Sequence, residues 1–378
     1  IDSDVLSGSE NLSFGLDANS GFYGETLKTY ALAVSASGEF TADNGGTVPS
    51  ALSAITTTIN WVNGIYENEL AMRFQILAGS DALIYTNAAT DPYDITQSNA
   101  SMLNQSQSNV DSVIGNANYD IGHLFIKKSN FGGHSTLASA GVTGAKAKAI
   151  SGNTEGFTTA HEIGHQFNAL HTWNGDGTGN LSDPNNPFNS AQYDVSTSME
   201  PGAGTTLMSY GHLWSTDENI QGHRDEYFHS KSLEQISAHA TAHPPVVGST
   251  VSTGNSAPSV AAGSDYVIPA DTPFTLTATG SDANGDPVTY TWEQFNADNA
   301  QSDLSSADDG VGPLFRSWSA VSDPSRTFPN LVDLTANTTP VGELLPSLAR
   351  TMDFRVTARD NHPGAGAYAD DDMSVQVV

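Results

Sequence analysis

The 378 residues include 42 Asp and Glu against 13 Lys and Arg, a formal net charge of −29. Such a chain repels nucleic acid and anionic membrane surfaces, and it contains no apolar run of the roughly 18 residues that a membrane span requires. Without a single cysteine there is no disulfide, no thiolate metal site and no cysteine nucleophile.

The length predicts two or three domains. The chain begins at Ile1 with neither an initiating Met nor a signal peptide, as expected of a processed, mature form. Residues Ile1 to Tyr23 are polar, glycine-rich and weakly patterned, and are expected to wrap the surface of the first domain. Leu27 to Ser35 reads as a strand with one core face, Tyr30, Leu32 and Val34 alternating with Thr29, Ala31 and Ala33. After Gly45, Gly46 and Pro49, Ser50 is the expected N-cap of a long amphipathic helix. Its apolar positions Leu52, Ile55, Ile59, Val62 and Tyr66 recur every three or four residues, and it ends near Asn68. Met72, Phe74 and Ile76 predict a second strand, and Leu83 with Tyr85 a short third one. Leu103, Val110 and Ile114 predict another helix, stopped by Gly115, and His123 to Ile126 a buried strand. Strands alternating with helices predict an α/β layer on a twisted, mostly parallel sheet. Phe131 to Asn153 is rich in Gly, Ala and Ser and reads as a loop.

The strongest signal follows, His161 to His171, read as HEIGHQFNALH. His161 and His165 are one helical turn apart and share a face, so both imidazoles can bind one Zn²⁺. Glu162 lies beside them, placed as a general base rather than a ligand. His171 is the expected third ligand; a downstream glutamate in that role, as in gluzincin-type peptidases, then becomes unnecessary. To bring His171 back, the chain must leave the helix through a residue of positive φ, and Asn168 stands there. The extended pattern H-E-x-x-H-x-x-G-x-x-H belongs to the metzincins, and this sequence matches it with Asn168 at the glycine position. Further on, Thr205-Thr206-Leu207-Met208-Ser209-Tyr210 resembles the metzincin methionine turn.

On these motifs Leu27 to about Ala242 resembles a bacterial reprolysin-like zinc metallopeptidase of the metzincin clan. The resemblance implies a secreted, extracellular endopeptidase made with a pro-segment and acting on protein or peptide substrates, with zinc on His161, His165 and His171. A cysteine-based latency switch cannot lie within this chain. Met208 would form an apolar floor under the metal. Tyr210 would either donate a hydrogen bond to the oxyanion or be a simply buried tyrosine. An edge strand within Ala138 to Ile150 would line the cleft and receive extended substrate as an added strand. The remaining histidines, among them His123, His134, His239 and His243, form no ligand motif. Leu233 and Ile236 mark a last helix.

Beyond residues 1–243, a stretch rich in Pro, Gly, Ser, Thr and Val at 244–257 reads as a linker. Residues 258–378 contain short β-type runs at Val267-Ile268, Phe274 to Thr279, Val288 to Trp292, Phe354 to Thr357 and Met373 to Val377. They predict an all-β immunoglobulin-like sandwich resembling PKD-like or cadherin-like modules, which would bind protein, polysaccharide or a cell surface, or rigidify the enzyme. Asp282, Asn284 and Asp286 alternate in one turn and either hold Ca²⁺, with Asp360 and Asp370 to Asp372 as further donors, or cap the turn themselves. A non-catalytic, metal-containing adhesin is the alternative reading of the whole; an intact Glu162 argues against it.

Overall fold

The computed structural model describes residues 24–175, 192–211, 213, 218–297, 304, 307–338 and 340–378. The expected surface wrap of Ile1 to Tyr23 and residues 176–191 lie outside the described residues. Two compact units are formed, one from Thr26–Leu170 with Gln235–Thr253, the other from His171–Glu234 with Gly254–Val378.

In the first unit, strand β1 (Thr26–Ala36) is central. It pairs in parallel with β2 (Met72–Ile76) and β3 (Ile121–Phe125). The expected single core face is corrected: every residue from Thr29 to Ala36 is buried, as in parallel sheets covered on both faces. A short helix α1 (Gly38–Asp43) leads to α2 (Val48–Leu70). The cap of α2 is Thr47, not Ser50. Ser50 is the N3 partner of a capping box, its Oγ accepting from the Thr47 N–H while Thr47 Oγ1 accepts from the Ser50 N–H. The strand expected at Leu83 and Tyr85 is a 3₁₀ turn, Ser80–Leu83, followed by one bridge from Ile84 to Ala36. Helix α3 (Asn99–Val113) follows.

The segment read as a loop, 131–153, contains two strands, β4 (Gly133–Ser135) and β5 (Ala149–Ser151). Three residues each are too few to show a period. The sheet runs β2-β1-β3-β5-β4, parallel except for β4, which is antiparallel and forms the edge. The edge is therefore not within Ala138 to Ile150: it lies N-terminal to that range, and Ala149 and Ile150 belong to an inner strand. Helix α4 (Gly156–Gln166) belongs to this unit, as does the part of helix α5 (Ser230–Ala242) from Gln235 onward. Part of the expected linker is strand β6 (Ser249–Ser252), antiparallel to β1. Asp120 fixes that return: its carboxylate accepts the backbone N–H groups of Ala31, Val246, Val247 and Gly248, at 2.8–2.9 Å.

The second unit contains the β-rich C-terminal region: β7 (Ser259–Ala261), β8 (Tyr266–Ile268), β9 (Phe274–Thr277), β10 (Thr279–Ser281), β11 (Thr289–Gln294), β12 (Ser325–Phe328), the short helix α6 (Leu331–Ala336), β13 (Arg350–Arg359) and β14 (Tyr368–Val377). The strands form a four-stranded sheet, β11-β13-β14-β8, and the pairs β10-β7 and β12-β9. One apolar core joins them, including Trp292 and Val356 and a ring cluster in which Phe274 stacks on Phe328 at 5.1 Å and Phe328 meets Phe354 at 4.9 Å.

Two histidines of the first unit are held neutral by burial. It pushes the His123 imidazole, whose Nε2 is 2.8 Å from Ser151 Oγ, down to about 3, and His239 down to about 4. In the unfolded chain each binds a proton below about pH 6.5. Their depressed values therefore contribute stability that is whole above that pH and is lost as the pH falls toward the folded values. Thermal unfolding of His123→Gln is expected to lose less in Tm between pH 7 and pH 5 than the unsubstituted chain; equal losses would show that His123 is not a source of the acid sensitivity.

Candidate metal and active site

The site begins with α4. Nine consecutive residues, Thr158 to Gln166, are buried, so His161, Glu162 and His165 are presented from a helix with little freedom to move. The imidazole rings of His161 and His165 stand edge to face, centroids 4.6 Å apart, with their Nε2 atoms 3.0 Å apart. The helix closes at Phe167, and Asn168 takes φ +72, the left-handed conformation its type and place suggested. The Asn168 N–H then bonds the His165 carbonyl at 2.9 Å and the Ala169 N–H bonds the Gly164 carbonyl at 3.0 Å. One ligand-type nitrogen from each of His161, His165 and His171 lies within 4.8 Å of the others. Among the described residues this is the group of three or more His, Cys, Asp or Glu side chains that could hold a metal ion.

Two of these rings are oriented by carbonyls. His165 Nδ1 is 2.6 Å from the Ala169 oxygen, and His171 Nδ1 is 2.7 Å from the Gln192 oxygen. A carbonyl only accepts, so each Nδ1 carries a hydrogen, and in the neutral ring it is Nε2 that keeps the lone pair. The donor set thus fits a borderline-soft cation such as zinc: three imidazoles, two of them with a partner on the second nitrogen.

After His171 the chain runs beside 199–202. The N–H groups of Met199 and Glu200 both bond the Thr172 carbonyl at 2.9 Å, and Trp173 bridges Glu200. Thr197 Oγ1 holds the His171 carbonyl at 2.6 Å. Glu200, which no motif in the sequence singles out, proves central. Its buried carboxylate accepts from Thr172 Oγ1 and Thr206 Oγ1 at 2.5 Å each, and from the N–H groups of Thr205 at 2.7 Å and Thr206 at 3.1 Å. One carboxylate therefore ties the residue after His171 to the approach of Met208. The dense Thr content on either side was the only sequence signal for it.

Met208 is wholly buried, and its carbonyl accepts from the Thr172 N–H at 3.4 Å. Tyr210 is buried too, its ring 4.7 Å from that of His171 and 5.6 Å from Trp173. Glu162 has a neighbour that sequence reading also missed. A Cβ on Gly133 of β4 would sit 2.4 Å from Glu162 Oε1 and 2.5 Å from its Cγ. Glycine is thus required for the Glu162 side chain to lie against the edge strand. Ser135 Oγ, also on β4, bonds the Glu162 carbonyl at 2.9 Å.

Comparison with known families matches residues 26–239 to the metallo-peptidase family M12B, reprolysin-like. The chain belongs to this M12B reprolysin-like metallopeptidase family. The match covers more than half of the chain and includes all three histidines, Glu162 and Met208. No curated protein sequence matches it. M12B metallopeptidases use zinc, and the three-histidine cluster of this metallopeptidase could bind it. No helix among the described residues is long and apolar enough to cross a membrane.

Most of the oxygens expected to hold calcium have other partners, while Asp282 Oδ2 is buried without one. Asp282 Oδ1 accepts from the N–H groups of Asn284 and Asp286, Asn284 Oδ1 from the Ser256 N–H, and Asp286 Oδ2 is 2.8 Å from His362 Nδ1. Asp360 accepts from Asn255 Nδ2 and the N–H groups of His362 and Ala367; Asp371 accepts from the Ala262 N–H; Asp372 pairs with Arg355. Asp370 is 3.9 Å from the same Arg355. Asp282 Oδ1 thus caps its own turn, and among the described residues no group of three His, Cys, Asp or Glu that could hold a metal includes these carboxylates.

Removing the Glu200 carboxylate leaves buried donors without acceptors. Glu200→Ala is expected to lower unfolding stability by about 3 kcal/mol or more, and Glu200→Gln by less, because one amide oxygen remains to accept. Urea unfolding of the three proteins measures this, and an Ala variant within 1 kcal/mol of the unsubstituted chain, well below that estimate, would contradict the clamp.

Proposed function

We propose that this protein is a secreted zinc endopeptidase that hydrolyses peptide bonds in extended protein substrates. The observation that carries the reading is the convergence of His161, His165 and His171 beside a buried Glu162, in a chain of a metallopeptidase family. His161, His165 and His171 hold the ion. Zinc, when bound, supplies Lewis-acid activation of a water and of the scissile carbonyl.

The chain's own groups do the rest. Glu162 takes the proton of the attacking water and delivers it to the leaving nitrogen. Its confinement between α4 and Gly133 supports that role, since a base must be held in one place to act. Substrate lies along β4 as an added strand, bonding main chain to main chain. The edge position of β4 in the sheet supports this. Tyr210, against His171, donates to the oxyanion. The strands from residue 258 onward are read as an immunoglobulin-like or PKD-like fold, which their antiparallel pairs around one core support.

Casein or gelatin hydrolysis tests the mechanism. Glu162→Ala is expected to lose activity by about a hundred-fold or more while keeping its zinc. Equal activity in the two proteins at equal zinc would refute the base assignment. No activity in the unsubstituted, zinc-loaded chain on any protein would favour a binding role. Gly133→Ala is expected to displace Glu162 and cut kcat by at least about ten-fold with zinc content unchanged, whereas an unaltered kcat would show that Glu162 works from another position.

A further inference from the structure

The family match ends at residue 239, yet the support of the methionine turn continues far beyond it. Leu207, next to Met208, donates its N–H to the Tyr227 carbonyl at 3.0 Å, and Asp225 donates to the Thr205 carbonyl at 2.8 Å. Segment 225–227 therefore runs beside the turn. That segment is in turn held by the C-terminal strands. The Tyr227 hydroxyl donates to Ser317 Oγ at 2.8 Å, and Ser317 Oγ donates to Glu293 Oε1 at 2.5 Å. The other Glu293 oxygen accepts the Ser230 N–H at 2.8 Å. Arg359 Nη2 reaches the Phe228 carbonyl at 3.2 Å. Leu207, Tyr227, Ser317 and Glu293 are all buried.

We infer that Glu293 and Ser317, in the C-terminal β region, are positioning residues of the peptidase, holding the methionine turn through Tyr227. The inference rests on the reading of Met208 as the floor of the site. The physical reason is the desolvation of Glu293. A carboxylate buried this deeply is stable only while its donors stay in place, so Ser317 and Ser230 have one low-energy arrangement. That arrangement fixes the Tyr227 hydroxyl, and the Tyr227 carbonyl fixes the Leu207 amide. The grouping of His171–Glu234 with Gly254–Val378 in one compact unit agrees. The C-terminal strands are then part of the catalytic frame, not an appended binding module.

The test uses the full chain with Ser317→Ala, Tyr227→Phe and both together. Val356→Ala, a cavity in the same C-terminal core but off this path, is the control. Hydrogen–deuterium exchange at 205–211 reads the positioning without reference to activity, and kcat on a peptide substrate reads its consequence. Each single variant is expected to exchange at least ten-fold faster at 205–211, with β1 unchanged, and to lose several-fold in kcat at equal zinc. The double variant should be no worse than the singles, because both break one link. Val356→Ala should lower Tm and leave exchange at 205–211 and kcat unaltered. The inference is overturned if Ser317→Ala and Tyr227→Phe leave exchange at 205–211 unchanged, or if Val356→Ala accelerates it equally. An unsubstituted chain without peptidase activity would refute the proposed function while the exchange result still judged the positioning.

Discussion

Two carbonyl oxygens, those of Ala169 and Gln192, decide what the three histidines can do. Each faces the Nδ1 of an imidazole, at 2.6 Å from His165 and 2.7 Å from His171. By accepting there they leave Nε2 as the lone-pair nitrogen of each ring. The rest of the site serves this arrangement. The Ala169 carbonyl is aimed by the left-handed Asn168, and the backbone of His171 is braced by Thr197. Glu200 then fixes Thr172, one residue further on. A ligand set of this kind is a property of its supports, because imidazoles free to turn would present N–H groups as readily as lone pairs.

The supports share one physical device, a buried acceptor saturated by local donors. Glu200 gathers Thr172, Thr205 and Thr206; Asp120 gathers Ala31 and 246–248; Glu293 gathers Ser317 and Ser230. Burial by itself would raise the Glu293 carboxyl, but His229, the Ser317 hydroxyl, Arg359 and the Ser230 N–H outweigh it and hold the group below its ordinary value. In a chain with so few Lys and Arg, backbone amides and hydroxyls take much of the stabilising role that cations would otherwise fill.

What the sequence made legible follows from separation along the chain. His161, Glu162, His165, Asn168 and His171 lie within eleven residues, so helical geometry and one turn relate them. The central strand, the long helix and the β-rich character of the last hundred residues also follow from local pattern. Gly133 and Glu162 are 29 residues apart, and Ser317 and Tyr227 are 90 apart. No period connects such residues. The edge strand was placed too far along because its three residues, Gly133, His134 and Ser135, carry neither alternation nor β-branching. The cap at Thr47 was missed for a simpler reason: in a capping box the second partner also resembles a cap.

The pairing of β6 with β1 joins Thr26 to Ser252 and Thr29 to Ser249. During synthesis the first strand therefore waits for more than two hundred residues before its antiparallel neighbour exists. At roughly 5–20 residues per second, that interval is about ten to forty-five seconds. Until then the lower half of β1 has an open side, and Asp120 has none of the amides of 246–248. The nascent chain passes through a period in which the Thr26–Thr29 end of β1 is a bare template for pairing.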